Sequence, residues 1–183
     1  MAGNRQQLRA ALTRPGMVLA PFVFDGLQAR LAERAGFEAV YMTGFGTAAA
    51  RGLPDLGLLT QTEMTENVRV LARSVTVPVI CDADTGYGNP LNVIRTLQEY
   101  EAAGAAALHI EDQVSPKRCV LLDGKQVIPE SEMVQKLLAA CEAHDALLVI
   151  NHNRRFNPNG HELRDRIANG DIGDLTSINL AWP

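Results

Sequence analysis

No lysine- or arginine-rich run interrupts this sequence, and that removes nucleic acid from the expected partners, because phosphate backbones are gripped by clustered cations. No apolar stretch approaches the roughly 18 residues that a membrane-crossing helix needs. The opening segment, Met1 to Arg9, is polar and lacks the apolar centre of a secretory leader. Neither a membrane partner nor export is expected. Cysteine is scarce. Cys81, Cys119 and Cys141 are odd in number and unrelated in spacing, which argues against a disulfide framework and for a reducing cytoplasm. What is present is ordinary for a globular protein: 46% hydrophobic residues, 21% charged residues and a net charge of −4 over 183 residues. That is enough chain for one domain with a real core.

Short apolar runs alternate with longer amphipathic ones. Residues 17–24, 39–42, 77–82, 107–110 and 147–150 read as strands, and the third is apolar and β-branched, as a strand covered on both faces should be. Residues 27–35 read as a helix closed by Gly36, and residues 62–74 as a helix with Thr62 at its N-cap. Pro90–Ala103 reads as a helix with proline in its first turn and Gly104 after its last, and Glu130–His144 as another. A long loop covers residues 111–128, and a short helix at 158–168 and a strand at 175–182 follow. Strand and helix in strict alternation predict an α/β fold with a parallel sheet. An open doubly wound sheet and a closed barrel both remain open at this point. The chain is too short to close a full barrel, which usually takes about 200 residues or more.

The residues that carry chemistry sit just after strands. Asp82 and Asp84 are spaced two apart in Cys81-Asp82-Ala83-Asp84-Thr85-Gly86-Tyr87-Gly88. Oxygen ligands so placed suit a hard cation such as Mg²⁺; the alternative is a polar turn before the next helix. Tyr41-Met42-Thr43-Gly44-Phe45-Gly46 ends a strand with a hydroxyl and with glycines whose N–H groups are available to an anion. Asp55, in Gly52-Leu53-Pro54-Asp55, adds a carboxylate or simply marks a turn. His109-Ile110-Glu111-Asp112-Gln113 brings Glu111 toward Asp82 and Asp84, and acids gathered without basic partners call for a cation. His109 itself reads as a core histidine. Cys119 follows Lys117 and Arg118, neighbours that lower a thiol's pKa, on a loop long enough to carry an acid over a site.

In this order the segments resemble the isocitrate lyase/phosphoenolpyruvate mutase superfamily over about residues 7–133. The resemblance is nearer to the small methylisocitrate lyase-like enzymes, because of Lys117-Arg118-Cys119, than to the mutases. It implies a partial (β/α)8 TIM-type barrel of the first four to five β/α units, with the site at the strand C-termini. Asp82, Asp84 and Glu111 would hold Mg²⁺, directly or through water. Tyr41, Thr43, Gly44 and Asp55 would bind a small carboxylic acid. Cys119 would act as the catalytic acid, with Lys117 and Arg118 beside it. The implied reaction is cleavage of a carbon–carbon bond in a 2-alkylmalate, methylisocitrate-like or oxaloacetate-like acid, releasing a 2-oxo acid, in a homo-oligomer. A mutase of the phosphoenolpyruvate or carboxyphosphonate type is the enzymatic alternative. An inactive chain that associates through exposed barrel edges is the other.

Two departures stand out. Val120 and Leu121 follow Cys119 where the family has glycine and histidine. After Met133 the family's Ala-Arg-Thr-Asp-Ala segment does not appear. Residues 134–183 instead resemble part of a Gfo/Idh/MocA oxidoreductase, through Asn151-His152-Asn153-Arg154-Arg155-Phe156. The glycine-rich dinucleotide fingerprint of those enzymes is missing, so no NAD site is expected. The expected domains are thus a lyase-type half barrel, 1–133, and a foreign or atypical α/β segment, 134–183.

Overall fold

The structure, a computed structural model, describes residues 2–119 and 122–144. Helix α1 (Ala2–Thr13) precedes β1 (Phe22–Val23) and α2 (Gly26–Arg34). Then come β2 (Val40–Met42), α3 (Gly44–Ala50), α4 (Gln61–Ser74), β3 (Val79–Asp82), α5 (Pro90–Ala103), β4 (Ala107–His109) and α6 (Glu130–His144). The strands form one four-stranded sheet in the order β1-β2-β3-β4, and each neighbouring pair is parallel.

Register decides which side chains share a face, because partners opposite each other in a ladder point the same way. One row is Val23, Met42, Cys81 and Leu108. It packs with Ala29 and Ala32 of α2, Met64, Val68 and Leu71 of α4, and Tyr100 of α5 in a single core. The other face carries Phe22, Tyr41, Ile80 and Ala107 in one row and Asp82 with His109 in the next. A sheet whose strand order follows the sequence, with α2, α4 and α5 on one face, is singly wound. A doubly wound sheet would divide those helices between two faces.

Local chemistry explains the helix starts. Thr60 caps α4, its hydroxyl accepting from the Glu63 N–H while Glu63 accepts from the Thr60 N–H. This capping box places the start ahead of Thr62, which lies inside the first turn rather than at the cap. Asn89 caps α5 ahead of Pro90, and Gly104 ends it at φ 108°, a left-handed conformation that suits glycine. Other expectations change in detail. Only Phe22 and Val23 of the strand expected at 17–24 pair in the sheet. Helices α1 and α3 were not expected. The Gly44 and Gly46 of α3 are poor helix formers, and Thr43 starts it as N-cap. α6 is the helix expected at Glu130–His144, and the boundary expected at 133–134 falls inside it. The elements expected at 147–150, 158–168 and 175–182, together with Arg154 and Arg155, lie outside the described residues. Cys81, Cys119 and Cys141 are all free. No described helix is long and apolar enough to cross a membrane.

Candidate active site

The C-terminal ends of β2, β3 and β4 gather the polar residues. Asp82 closes β3, and both of its carboxylate oxygens accept backbone donors: Oδ1 from the Asp84 N–H at 2.9 Å and Oδ2 from the Gly44 N–H at 3.1 Å. Its carbonyl accepts from the buried Tyr100 hydroxyl at 3.2 Å. Asp82 therefore ties the end of β3 to the start of α3. Gly44 fits there because it has no side chain. A Cβ at that position would lie 2.5 Å from Asp82 Oδ2 and 3.4 Å from Asp84 Oδ1. Gly44→Ala is expected to push the Asp82 carboxylate aside and destabilise the chain by about 1–3 kcal/mol, read as a lower urea midpoint. An unchanged midpoint would mean that Asp82 yields without strain.

Asp84 follows at φ 47°, in the left-handed region, and Tyr87 shares that conformation at φ 60°. Such backbone is uncommon outside glycine and gathers at functional turns. The turn is held from both sides. The Glu111 N–H donates to the Asp84 carbonyl at 2.7 Å, and the Thr96 hydroxyl to the Gly86 carbonyl at 3.1 Å. Lys136 of α6, itself buried, points Nζ at the Thr85 carbonyl 3.5 Å away.

The acids do not stand without a basic partner, contrary to expectation. Lys117 Nζ lies 2.6 Å from Asp55 Oδ1 and 3.0 Å from Asp84 Oδ1, with all three side chains under a tenth exposed. Asp84 Oδ1 is thus held by the Lys117 ammonium, and no further donor reaches it among the described residues. Burial, and then the charge of Asp82, push the Asp84 carboxyl up to about 6, against the pull of Lys117. Burial alone would lower the Lys117 ammonium, but Asp84 and Asp55 outweigh it and raise its pKa.

The second cluster centres on His109, which is no core histidine: its side chain is 40% exposed. Its Nδ1 is 2.6 Å from the Tyr41 hydroxyl, and its Nε2 is 3.6 Å from Asp82 Oδ1 and 3.9 Å from Glu111 Oε1. Burial would lower its pKa, but Glu111 and Asp82 reverse the direction and raise it. Burial works against Glu111 too, and His109, Lys117 and Gln113 together hold its carboxyl below the usual range. Gln113, buried and given no role by the sequence, donates to Glu111 and accepts from the Arg118 N–H at 3.0 Å. Its place in the acid-rich segment was the signal available.

Each expected site residue thus has a definite place. Tyr41, Asp55, Asp82, Asp84, Glu111 and Lys117 come together. The Thr43 hydroxyl accepts from the Gly46 N–H as the cap of α3, and the Gly44 N–H is taken by Asp82, so neither of these glycine N–H groups is open to an anion. The Arg118 side chain is exposed. Cys119 is half-buried and donates its N–H to the Asp55 carbonyl at 3.0 Å. Asp82, Asp84 and Glu111 do not converge as one ligand set, and no three His, Cys, Asp or Glu side chains do so among the described residues. Asp84 is the member that fits a divalent cation, as a buried carboxylate whose Oδ1 is met by the Lys117 ammonium and by no further donor among the described residues. Asp82 and Glu111 border it with their oxygens engaged.

Comparison with known proteins gives one consistent result. Residues 8–153 match the family described as phosphoenolpyruvate phosphomutase, so the match passes the expected boundary at 133. The chain is 47% identical over 137 residues to a 2,3-dimethylmalate lyase of Eubacterium barkeri, covering 74% of this chain and 47% of that protein. It is 47% identical over 149 residues to a 2-methylisocitrate lyase of Aeropyrum pernix, covering 81% of this chain and 48% of that one. A solved phosphonopyruvate hydrolase, in complex with oxalate and Mg²⁺, superposes with a TM-score of 0.71 at 37% identity, over 77% of this chain and 48% of that one. The chain spans about half the length of the curated relatives it matches.

Proposed function

The chain belongs to the phosphoenolpyruvate mutase/isocitrate lyase superfamily, and from that premise we propose that it carries the front half of a Mg²⁺-dependent carbon–carbon lyase site, on the first units of a β/α barrel. Its substrate is a 2-alkylmalate, methylisocitrate-like or oxaloacetate-like acid, and a 2-oxo acid is released. The observation that carries this reading is Asp84: a buried carboxylate just past a strand's C-terminal end, whose Oδ1 is met by the Lys117 ammonium at 3.0 Å and takes no hydrogen bond from the backbone among the described residues.

Asp84 would hold the cation, with Asp82 and Glu111 at its border. The chemistry a divalent cation would supply at such a place is stabilisation of the alkoxide charge that develops on the substrate hydroxyl as it becomes the oxo group. Asp82 keeps β3 and α3 in register with each other through the Gly44 N–H. Tyr41, stacked on His109 and paired with it, borders the mouth where the substrate carboxylate is received. When the carbon–carbon bond of a 2-hydroxy acid breaks, the hydroxyl becomes the oxo group and gives up its proton to the Asp82–His109–Glu111 cluster. The electron pair stays on the carbon next to the departing carboxylate. A proton from Cys119 Sγ quenches it. The partners implied are the small acid and further copies of the chain, in the cytoplasm.

The test is release of 2-oxo acid from 2-methylisocitrate and 2,3-dimethylmalate, and of oxalate from oxaloacetate, with and without Mg²⁺. Cys119→Ala is expected to lower Mg²⁺-dependent release by about a hundredfold or more while leaving metal binding intact. Full activity in that variant would remove Cys119 from the acid role. Silence of the unaltered chain on all three acids would sink the lyase reading, in favour of a chain that associates through its sheet edges without turnover.

A further inference from the structure

We propose that Lys136 of α6 is a positioning residue for Asp84, bracing the turn that carries that carboxylate through the Thr85 carbonyl. Its consequence for a metal rests on the site proposed above, and the brace itself is independent of one. The turn needs holding. Asp84, Gly86, Tyr87 and Gly88 have positive φ, at 47°, 81°, 60° and 147°, and Asp84 and Tyr87 are not glycine. Non-glycine backbone of this kind persists only where its surroundings over-determine it.

The carbonyls from Asp82 to Gly86 are held one by one. Asp82 accepts from the Tyr100 hydroxyl, Ala83 from the Gly86 N–H at 2.8 Å, Asp84 from the Glu111 N–H and Gly86 from the Thr96 hydroxyl. That leaves Thr85, buried at 3% exposure, and the group that reaches its carbonyl is the Lys136 ammonium at 3.5 Å. Lys136 is itself 4% exposed, and the carboxylate paired with it, Glu132, stands 3.8 Å away and 46% exposed. An ammonium buried with so loose a counterion is costly to keep. Methionine would fill the same place on α6 without that cost. What the ammonium adds is a donor to the Thr85 carbonyl.

The reach of that contact is set by the peptide plane. The Thr85 carbonyl and the Gly86 N–H belong to one rigid amide. With the carbonyl held by Lys136, the N–H stays on the Ala83 carbonyl and the turn stays closed. Without the ammonium the buried carbonyl is left unpaired, the amide is free to rotate, and the left-handed Asp84 beside it loses a restraint. Lys117 meets the Asp84 side chain; Lys136 holds the backbone next to it. The helix α6 thereby governs the aim of a carboxylate that it does not itself carry.

The test is amide hydrogen exchange of the metal-free chain, beside Mg²⁺ titration by calorimetry. Exchange is followed at Gly86 and at Val40, whose N–H donates to the Pro78 carbonyl at 3.0 Å and reports on the sheet. In Lys136→Met, exchange at Gly86 is expected to quicken about tenfold or more beyond any change at Val40, and Mg²⁺ to bind about tenfold more weakly. Lys136→Arg keeps the charge and the donors, and is expected to restore both to within about threefold. Lys125→Met removes an exposed charge and leaves both within about twofold. Equal changes at Gly86 and Val40 in Lys136→Met would mean a lysine that stabilises the whole fold with no particular hold on the turn, and overturn the proposal. So would unaltered Mg²⁺ binding in Lys136→Met alongside its loss in Asp84→Asn. No Mg²⁺ binding by the unaltered chain sinks the metal site alone, and exchange at Gly86 still decides the brace. If Lys136→Met does not fold, the ammonium is observed in the unaltered chain by nitrogen NMR. Its protons are expected to exchange with water at least about tenfold more slowly than those of Lys125, and equal rates overturn the proposal.

Discussion

Asp84→Asn is expected to remove the proposed Mg²⁺-dependent release of 2-oxo acid, by about a hundredfold or more, and at the same time to make the metal-free protein more stable. The two effects share a cause. Burial and the charge of Asp82 hold the Asp84 carboxyl at about 6, above its ordinary 3.8. A carboxyl whose pKa is raised by folding contributes stability when protonated. That contribution is complete below about pH 3.8 and lost as pH rises through about 6. Near neutrality Asp84 is therefore a charged group in a place that disfavours charge. The amide keeps its shape without the charge, and a gain of about 1–2 kcal/mol is expected at pH 7. Urea denaturation of the metal-free chain between pH 4 and 7 reads both parts. The Asp84 contribution to the fall in stability over that window should vanish in the variant. A variant less stable than the parent at pH 7 would show instead that the pair with Lys117 outweighs the burial of the carboxylate.

The largest loss of stability is expected from Tyr100→Ala. Tyr100 is the largest of the fully buried side chains among the described residues. It packs in the core beneath β3 and places its hydroxyl 3.2 Å from the Asp82 carbonyl and 3.0 Å from the Tyr87 hydroxyl. Truncation leaves a cavity under the strand that carries the acids and should lower stability by about 3–5 kcal/mol, a large share of what a domain of this size has. Tyr100→Phe keeps the ring and loses only the hydroxyl, for about 1 kcal/mol. Chemical denaturation of both variants separates packing from hydrogen bonding. Near-equal losses in the two would place the whole effect on the hydroxyl, and the cavity argument would fail.

Much of the frame was legible because its signals are local. The β-branched run before Asp82, the Asn89-Pro90 start of α5 and the Gly104 stop each depend on residues close in sequence. Helix α3 was hidden by its glycines, and α4 was placed late because Thr60, Thr62 and Glu63 offer two caps and only Thr60 makes the reciprocal pair. The gathering of the acids was legible, and its wiring was not. Asp55, Asp82, Asp84 and Glu111 were all expected near one another. That Lys117 would join Asp55 to Asp84 was not. Adjacency in the chain assigned that cation to Cys119, whereas in space it is held by two carboxylates from other segments. Likewise Gly44 was read as an anion donor, and only the close approach of Asp82 reveals what its N–H faces. Contacts of this kind join distant stretches of chain, and periodicity does not report them.

The pairing of Asp82 with His109 and of Cys81 with Leu108 has a consequence for how such a protein can change length. Side chains along β3 alternate between core and mouth, so the chemistry is written in odd and even positions. One residue inserted between Val79 and Cys81 would turn the Asp82 carboxylate into the apolar layer against the helices and bring the thiol of Cys81 to the mouth. A two-residue insertion would restore the parity and shift the acid along the strand by one full repeat. The segment before α4 carries no such parity. Descendants of this sequence are free to lengthen there, whereas β3 accepts substitutions but not a change of step.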